Sequence, residues 1–285
     1  MWFLFGLGAG FLNALTTAFS KKAVRNVDPY LVPLAQTLLS LPVFAIAILA
    51  TGWTALSTLF WPSLIASGLI NVLASILTMK ALKIGDLSLT IPYFAFTPLF
   101  LTLTSKLMLN ESIGTSGFIG ILMITVGSLA LQWTKGGSLI DPFKNFAKNR
   151  ASQLALLVAF LYSISTNFDK VGIRHSSAIL YPASIYAFQA MVLLPIVIWR
   201  KKTTKNDIKK NLKYLLPIGP IAAVMMLFYS AAISSALVAY VIALKRTVVI
   251  WSVLIGYFAF NEKNFMPKLA GATAMVCGVL LIAAG

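Results

Sequence analysis

The chain has 285 residues, 59% of them hydrophobic and only 11% charged, with a formal net charge of +16. A soluble domain carries about 25% charged residues, and the mean hydropathy here is +0.88, so composition excludes a water-soluble globular domain and points to an integral membrane protein. The single cysteine, Cys277, excludes an intramolecular disulfide.

Apolar stretches near the roughly 20 residues needed to cross a bilayer follow one another along the chain. The first, 2–20, lacks the basic start and small-residue cleavage site of a signal peptide, and reads as a retained helix. The long run 29–79 must fold back; the stretch Trp53 to Trp61, with Gly52 and Pro62, divides it into helices near 30–50 and 61–82. Helices near 87–108 and 114–133 follow, and then a polar segment, 135–149. Further helices fall near 151–172 and 178–199. The run 214–244 is divided at Ser234-Ser235 into helices near 214–233 and 237–260, and a last helix covers 265–284. The predicted fold class is all-α, a polytopic membrane protein with ten transmembrane helices.

The cations report topology. With ten helices, the odd-numbered loops share one side and hold nearly all of the loop charge, including Arg200, Lys201, Lys202, Lys205, Lys209, Lys210 and Lys213 in a single connection. The even-numbered loops hold only Lys106, Lys170 and Arg174. Positively charged loops stay in the cytoplasm, which predicts cytoplasmic odd loops, external termini and a multi-pass protein of the cell membrane. The basic balance therefore calls for no nucleic-acid partner; the lipid bilayer is the partner that composition demands.

The chain also repeats itself. At an offset of 151, Gly68 matches Gly219, Asn110-Glu111 matches Asn261-Glu262, Gly120 matches Gly271, and Gly127 matches Gly278. Phe19-Ser20-Lys21 answers Phe168-Asp169-Lys170, and Gln36 with Pro42 answers Gln189 with Pro195. The collinear series divides the protein into five-helix halves, 1–134 and 150–285, joined by the linker 135–149. An odd number of spans per half makes the repeats inverted, the arrangement of secondary transporters that bind substrate near the midplane and rock one half against the other.

Ten spans in a 5+5 inverted repeat, each half closing on a polar-acid pair followed by two glycines, resemble the drug/metabolite transporter superfamily, and its EamA-like branch in particular. The resemblance covers the whole chain and implies a central cavity lined by helices 1, 3, 4, 6, 8 and 9. The residues give partial support of their own. Helix 1 carries Asn13, Thr16 and Ser20 on one face, and helix 6 carries Tyr162, Ser165 and Asp169 at the repeat-equivalent positions. Helix 3 carries Ser67, Asn71 and Ser75. Such residues also glue membrane helices together, the plainer reading for any one of them; the two matched stripes together favour cavity lining.

Lys245 and Arg246 lie about 13 Å inside helix 9 at 1.5 Å per residue, where each cation costs roughly 2.5–3.5 kcal/mol without an anion or a watery cavity. A structural pair bonding backbone carbonyls is the competing reading. The pair resembles the phosphate-binding Lys-Arg of the plastid phosphate translocators, a branch of the same superfamily. The repeat-equivalent residues in helix 4 are Phe94-Ala95, so any charge site is one-sided. Pro92 and Pro98 bracket Tyr93 and Thr97 and should kink helix 4 there, and Tyr229 offers a further hydroxyl from helix 8. The candidate substrate-binding residues are Lys245, Arg246, Tyr93, Asn71, Asn13, Tyr162, Tyr229 and Thr97. Glu111 and Glu262, just before helices 5 and 10, read as helix N-terminal charges, and the paired glycines of those helices as close packing within or between protomers.

No catalytic triad, phosphate loop, cofactor motif or metal-ligand spacing appears, and His175 beside Arg174 reads as a surface or capping residue. The expected activity is secondary transport of a small anionic or zwitterionic metabolite, without enzyme chemistry. A broad exporter of neutral or amphipathic compounds and a channel or scramblase are the alternatives. Coupling to a proton or a counter-substrate and the oligomeric state stay open at this point.

Overall fold

The computed structural model describes residues 1–24, 26–84, 93–131, 149–200, 202, 204–251 and 269–284. The described residues form helices α1 (Trp2–Val24), α2 (Leu31–Thr51), α3 (Phe60–Ile84), α4 (Thr97–Leu109), α5 (Thr115–Leu131), α6 (Arg150–Arg174), α7 (Leu180–Arg200), α8 (Lys205–Ser235), α9 (Val238–Lys245) and α10 (Leu269–Ala284). Among the described residues six stretches, Trp2–Val24, Leu31–Thr51, Phe60–Ala81, Arg150–Arg174, Leu180–Arg200 and Asn206–Ser235, are long and apolar enough to cross a membrane by themselves. α5 and α10 are shorter and apolar.

The chain packs as two compact units, and neither coincides with a sequence half. One unit comprises Met1–Ile76 and Phe168–Ser235; the other comprises Leu77–Asn167 and Ala236–Gly285. In the first unit α1 and α2 lie against α8, and α2 also lies against α7. Ala23, Val27, Val32, Leu215 and Ile218 form one buried cluster there; Leu34, Val72 and Leu193 form another. A Cβ on Gly219 would fall on the backbone of Leu39, and one on Gly68 would fall on the ring of Phe188. The matched glycines of the repeat are thus close-approach points of α8 on α2 and of α3 on α7.

In the second unit α5 packs along α10, and α9 lies against α4 and α5. A Cβ on Gly120 would stand 2.7 Å from the carbonyl oxygen of Gly278, and one on Gly127 would stand 2.6 Å from that of Gly271. The expectation of packing within or between protomers resolves to packing within the chain, helix backbone on helix backbone.

α8 starts nine residues before the expected boundary, at Lys205 rather than 214. The cause is a capping box: the Thr204 hydroxyl and amide both donate to Asp207 Oδ2, at 2.7 and 3.0 Å, while the Asp207 amide donates to Thr204 Oγ1 at 3.2 Å. Its 31 residues span about 46 Å at 1.5 Å per residue, longer than the hydrocarbon core. The C-terminal end of α8, at Ser235, falls where the sequence places the Ser234-Ser235 division.

Glu111 is buried, and its Oε2 accepts a 3.0 Å hydrogen bond from the Val238 amide at the start of α9. Its expected role as an N-terminal charge therefore acts on α9, because the left-handed Asn110 (φ 55°) turns the chain away before α5 begins at Thr115. Glu262 and Asn261 lie outside the described residues.

Candidate functional site

Helix 9, expected unbroken over 237–260, pauses directly after Lys245. The Arg246 amide reaches both Ile242 O (3.1 Å) and Ala243 O (3.0 Å), Thr247 bonds Leu244 O, and Val249 bonds Arg246 O at 3.1 Å. These i→i−3 bonds make one tighter turn before helical structure resumes at 248–251. No proline lies in this stretch; Thr247, Val248, Val249 and Ile250 are all β-branched, and their crowded Cβ positions weaken the helix. Residues 252–268 lie outside the described residues.

Helix 4 pauses at the matching place, 95–96, where the Phe96 amide bonds Tyr93 O at 3.2 Å. Proline is the cause here. Pro98, in the first turn of α4, has no amide hydrogen, and its ring excludes a continuous helix through residue 94. The expected kink is present at Pro98; Pro92 lies outside the described residues. At the sequence offset of 151, Ala95-Phe96 corresponds to Arg246-Thr247, so the two helices pause in register.

The pauses bring chemistry together. Arg246 Nη2 donates to Thr97 Oγ1 at 2.5 Å, and Thr97 Oγ1 in turn donates to Phe94 O at 2.9 Å. Arg246 Nε is buried without a hydrogen-bond partner, as is Thr247 Oγ1. Tyr162 of α6 adjoins both Arg246 and Thr78 of α3. Among the described residues no carboxylate meets the Arg246 guanidinium. Lys245 is half-buried at the last position of α9, one residue away. Tyr93 is buried beside Ser152 of α6 and stacks on Phe96, with ring centroids 6.4 Å apart. It stands on the packed side of helix 4.

The first unit holds a second polar cluster. Ser67 Oγ donates to Asp169 Oδ1 at 2.5 Å, and Asn71 Nδ2 donates to Ser67 Oγ at 2.9 Å. Tyr181 adjoins Asp169 and Tyr229 and donates from its hydroxyl to Ser63 O at 3.1 Å. Asp169, Lys170 and Tyr229 are all buried. Asn13 is half-buried on α1.

Of the eight candidate residues, then, Arg246, Thr97 and Tyr162 meet in the second unit, with Lys245 adjacent, and Asn71 and Tyr229 belong to the cluster of the first. Tyr93 and Asn13 join neither. Thr78 and Tyr181 went unnoticed in the sequence, although each carries a signal. Thr78 lies seven residues after Asn71 on the same helical face, and Tyr181 matches Tyr30 at the repeat offset. His175 has the surface role expected of it: its Nδ1 lies 2.5 Å from Ser57 Oγ, and its carbonyl accepts from the Ser57 amide at 3.2 Å, tying the α2–α3 connection to the end of α6.

Comparison with known proteins places this architecture. The chain is similar to an uncharacterized transporter in the cobO 3′ region of a Sinorhizobium species, with 28% identity over 134 residues, 46% of this chain and 95% of that one. A protein of known crystal structure shares the fold at a TM-score of 0.78 and 17% identity, over 99% of this chain and 96% of the other. The EamA-like transporter family model matches residues 1–132 and again 149–284. This chain is a membrane transporter that belongs to the EamA-like transporter family.

Proposed function

We propose that the protein is an alternating-access secondary transporter of a small anionic or zwitterionic metabolite, and that Arg246 receives the substrate's carboxylate or phosphate. The observation that carries this reading is the buried, unpartnered Arg246 Nε. A guanidinium offers its donors in a planar fork suited to carboxylate and phosphate. Thr97 occupies Nη2 and fixes the plane, which leaves Nε and Nη1 for an incoming anion. Lys245 adds a point charge beside it, and the Tyr162 hydroxyl supplies a neutral donor. Asn71 and Tyr229 remain candidate contacts within the polar cluster of the first unit, considered by itself.

The inverted-repeat organisation, 1–134 and 150–285 joined by 135–149, belongs to the same proposal. It is supported by the two separate family matches and by helix pauses that fall in register at 95–96 and 246–247. Broken membrane helices expose polar backbone where it lines a cavity, which is where such transporters bind substrate. The charge bias supports cytoplasmic odd-numbered loops and external termini in the cell membrane.

A second reading rests on the Arg246–Thr97 bond itself. If that bond is only a clamp between α9 and α4, the protein is a broad exporter of neutral or amphipathic compounds. Counterflow in proteoliposomes separates the two. Saturable exchange of radiolabelled amino acids, organic acids or phosphorylated compounds, lost in Arg246→Gln, supports the anion reading; counterflow of neutral compounds alone, unaffected by Arg246→Gln, supports the second. Conductance that does not saturate refutes both in favour of a channel.

A further inference from the structure

We infer that Asp169 is the proton-carrying group of this transporter, an inference that rests on the alternating-access reading. Asp169 is 7% exposed, within a helix that the bilayer must enclose. A carboxyl group in a membrane interior is costly as an anion and is by default a functional group. Its immediate surroundings suit a group that gains and loses a proton. Ser67 Oγ–H donates to Oδ1, which favours the carboxylate. A hydroxyl both donates and accepts, so the same group can accept from the carboxylic acid once it rotates, and Tyr181 stands within hydrogen-bonding reach of both Ser67 and Asp169. Asn71 Nδ2 holds that oxygen in place through both states, donating to Ser67 Oγ and to Ser67 O, each at 2.9 Å.

The route for the proton is short. Asp169 lies five residues before the end of α6, Ser67 seven residues after the start of α3, Tyr229 six residues before the end of α8, and Tyr181 one residue after the start of α7. Those four helix ends point to one membrane face. At 1.5 Å per residue the carboxyl sits about 8 Å below the end of its own helix. The ionisable groups around it are Lys170 on the same helix, Tyr181 from α7 and Tyr229 from α8, with Arg174 and His175 at the helix end. A proton from water at that face adds to a carboxylate oxygen; the reverse step returns it, and nothing else is consumed.

The test uses the full chain in proteoliposomes that enclose a pH-sensitive dye, with amino acids, organic acids and phosphorylated compounds as probes. In the wild type, any compound that undergoes counterflow also moves protons across the membrane when a gradient drives it. In Asp169→Asn, counterflow persists while proton movement falls to that of protein-free vesicles. Asp169→Glu restores proton movement with a displaced pH profile. Proton movement that survives in Asp169→Asn, or that is absent from the wild type alongside counterflow, overturns the inference.

If no probe undergoes counterflow, the substrate reading fails, and infrared titration still decides the proton site. A carboxylic C=O stretching band that appears on acidification in lipid films must shift in Asp169→Glu and stay put in Asp207→Asn. A titrating band indifferent to residue 169 refutes the assignment, as does no titrating band at all.

Discussion

Glu111 Oε2 accepts a 3.0 Å hydrogen bond from the backbone amide of Val238, 127 residues further along the chain. The acid that precedes α5 thus supplies an N-terminal charge to α9, the helix that carries Lys245 and Arg246 at its other end. α9 has only eight residues and Leu237 gives it no side-chain cap, so its first amide, that of Val238, is met by this carboxylate.

Glu111→Ala is therefore expected to lower thermal stability by about 1–2 kcal/mol, the cost of a lost cap and a buried amide left unpaired. Glu111→Gln keeps an acceptor oxygen without the charge, and should retain more than half of that. Thermal unfolding of the purified variants in one detergent checks the order, wild type above Gln above Ala. Equal stabilities for all three would show that the carboxylate is not needed at α9.

Thr97 accepts from Arg246 and donates to Phe94 O, so it positions the guanidinium rather than meeting substrate charge itself. Thr97→Val removes the acceptor at nearly constant volume and should weaken half-saturation for an anionic substrate by roughly tenfold, the equivalent of about 1.4 kcal/mol. Thr97→Ser should restore it. Arg246→Lys keeps the charge and loses the planar fork, and should fall between wild type and Arg246→Gln. A half-saturation constant indifferent to all of these substitutions would remove Arg246 from the site.

The glycine contacts give a packing prediction free of any substrate. Gly127→Ala would put a methyl group 2.6 Å from the carbonyl oxygen of Gly271, on backbone that cannot yield without moving α10. Overpacking of this kind costs roughly 1–3 kcal/mol. Gly114→Ala meets nothing within 4 Å and should leave stability unchanged. The two variants compared by thermal unfolding isolate the close approach from the general effect of replacing glycine.

How much of this was legible in the sequence follows from the range of each interaction. Composition and apolar run lengths specify membrane helices, because the bilayer imposes one length scale on every span. Gly68, Gly120, Gly127, Gly219, Gly271 and Gly278 announce close contacts through the repeat, since nothing larger fits where backbones touch. The pause after Lys245 was not legible: no proline or glycine marks it, and the β-branched run Thr247–Ile250 is a weak signal in a membrane helix. Nor was the bond from Glu111 to Val238, because an acid before α5 has a local helix to serve and only the fold shows that it serves another. Tyr162 follows Thr97 by 65 residues and precedes Arg246 by 84, and no local pattern joins them.

The single cysteine makes topology testable without a reporter domain. Cys277 lies exposed on α10, so Cys277→Ser gives a background with no thiol of its own. Lys202 is exposed between α7 and α8, among the basic residues that the charge bias assigns to the cytoplasm. Lys202→Cys in that background should resist a membrane-impermeant maleimide added to intact cells and react once the membrane is opened. Ser57→Cys, in the uncharged connection between α2 and α3, should react in intact cells. The reverse pattern would invert the orientation, and would also move the membrane face from which Asp169 is reached.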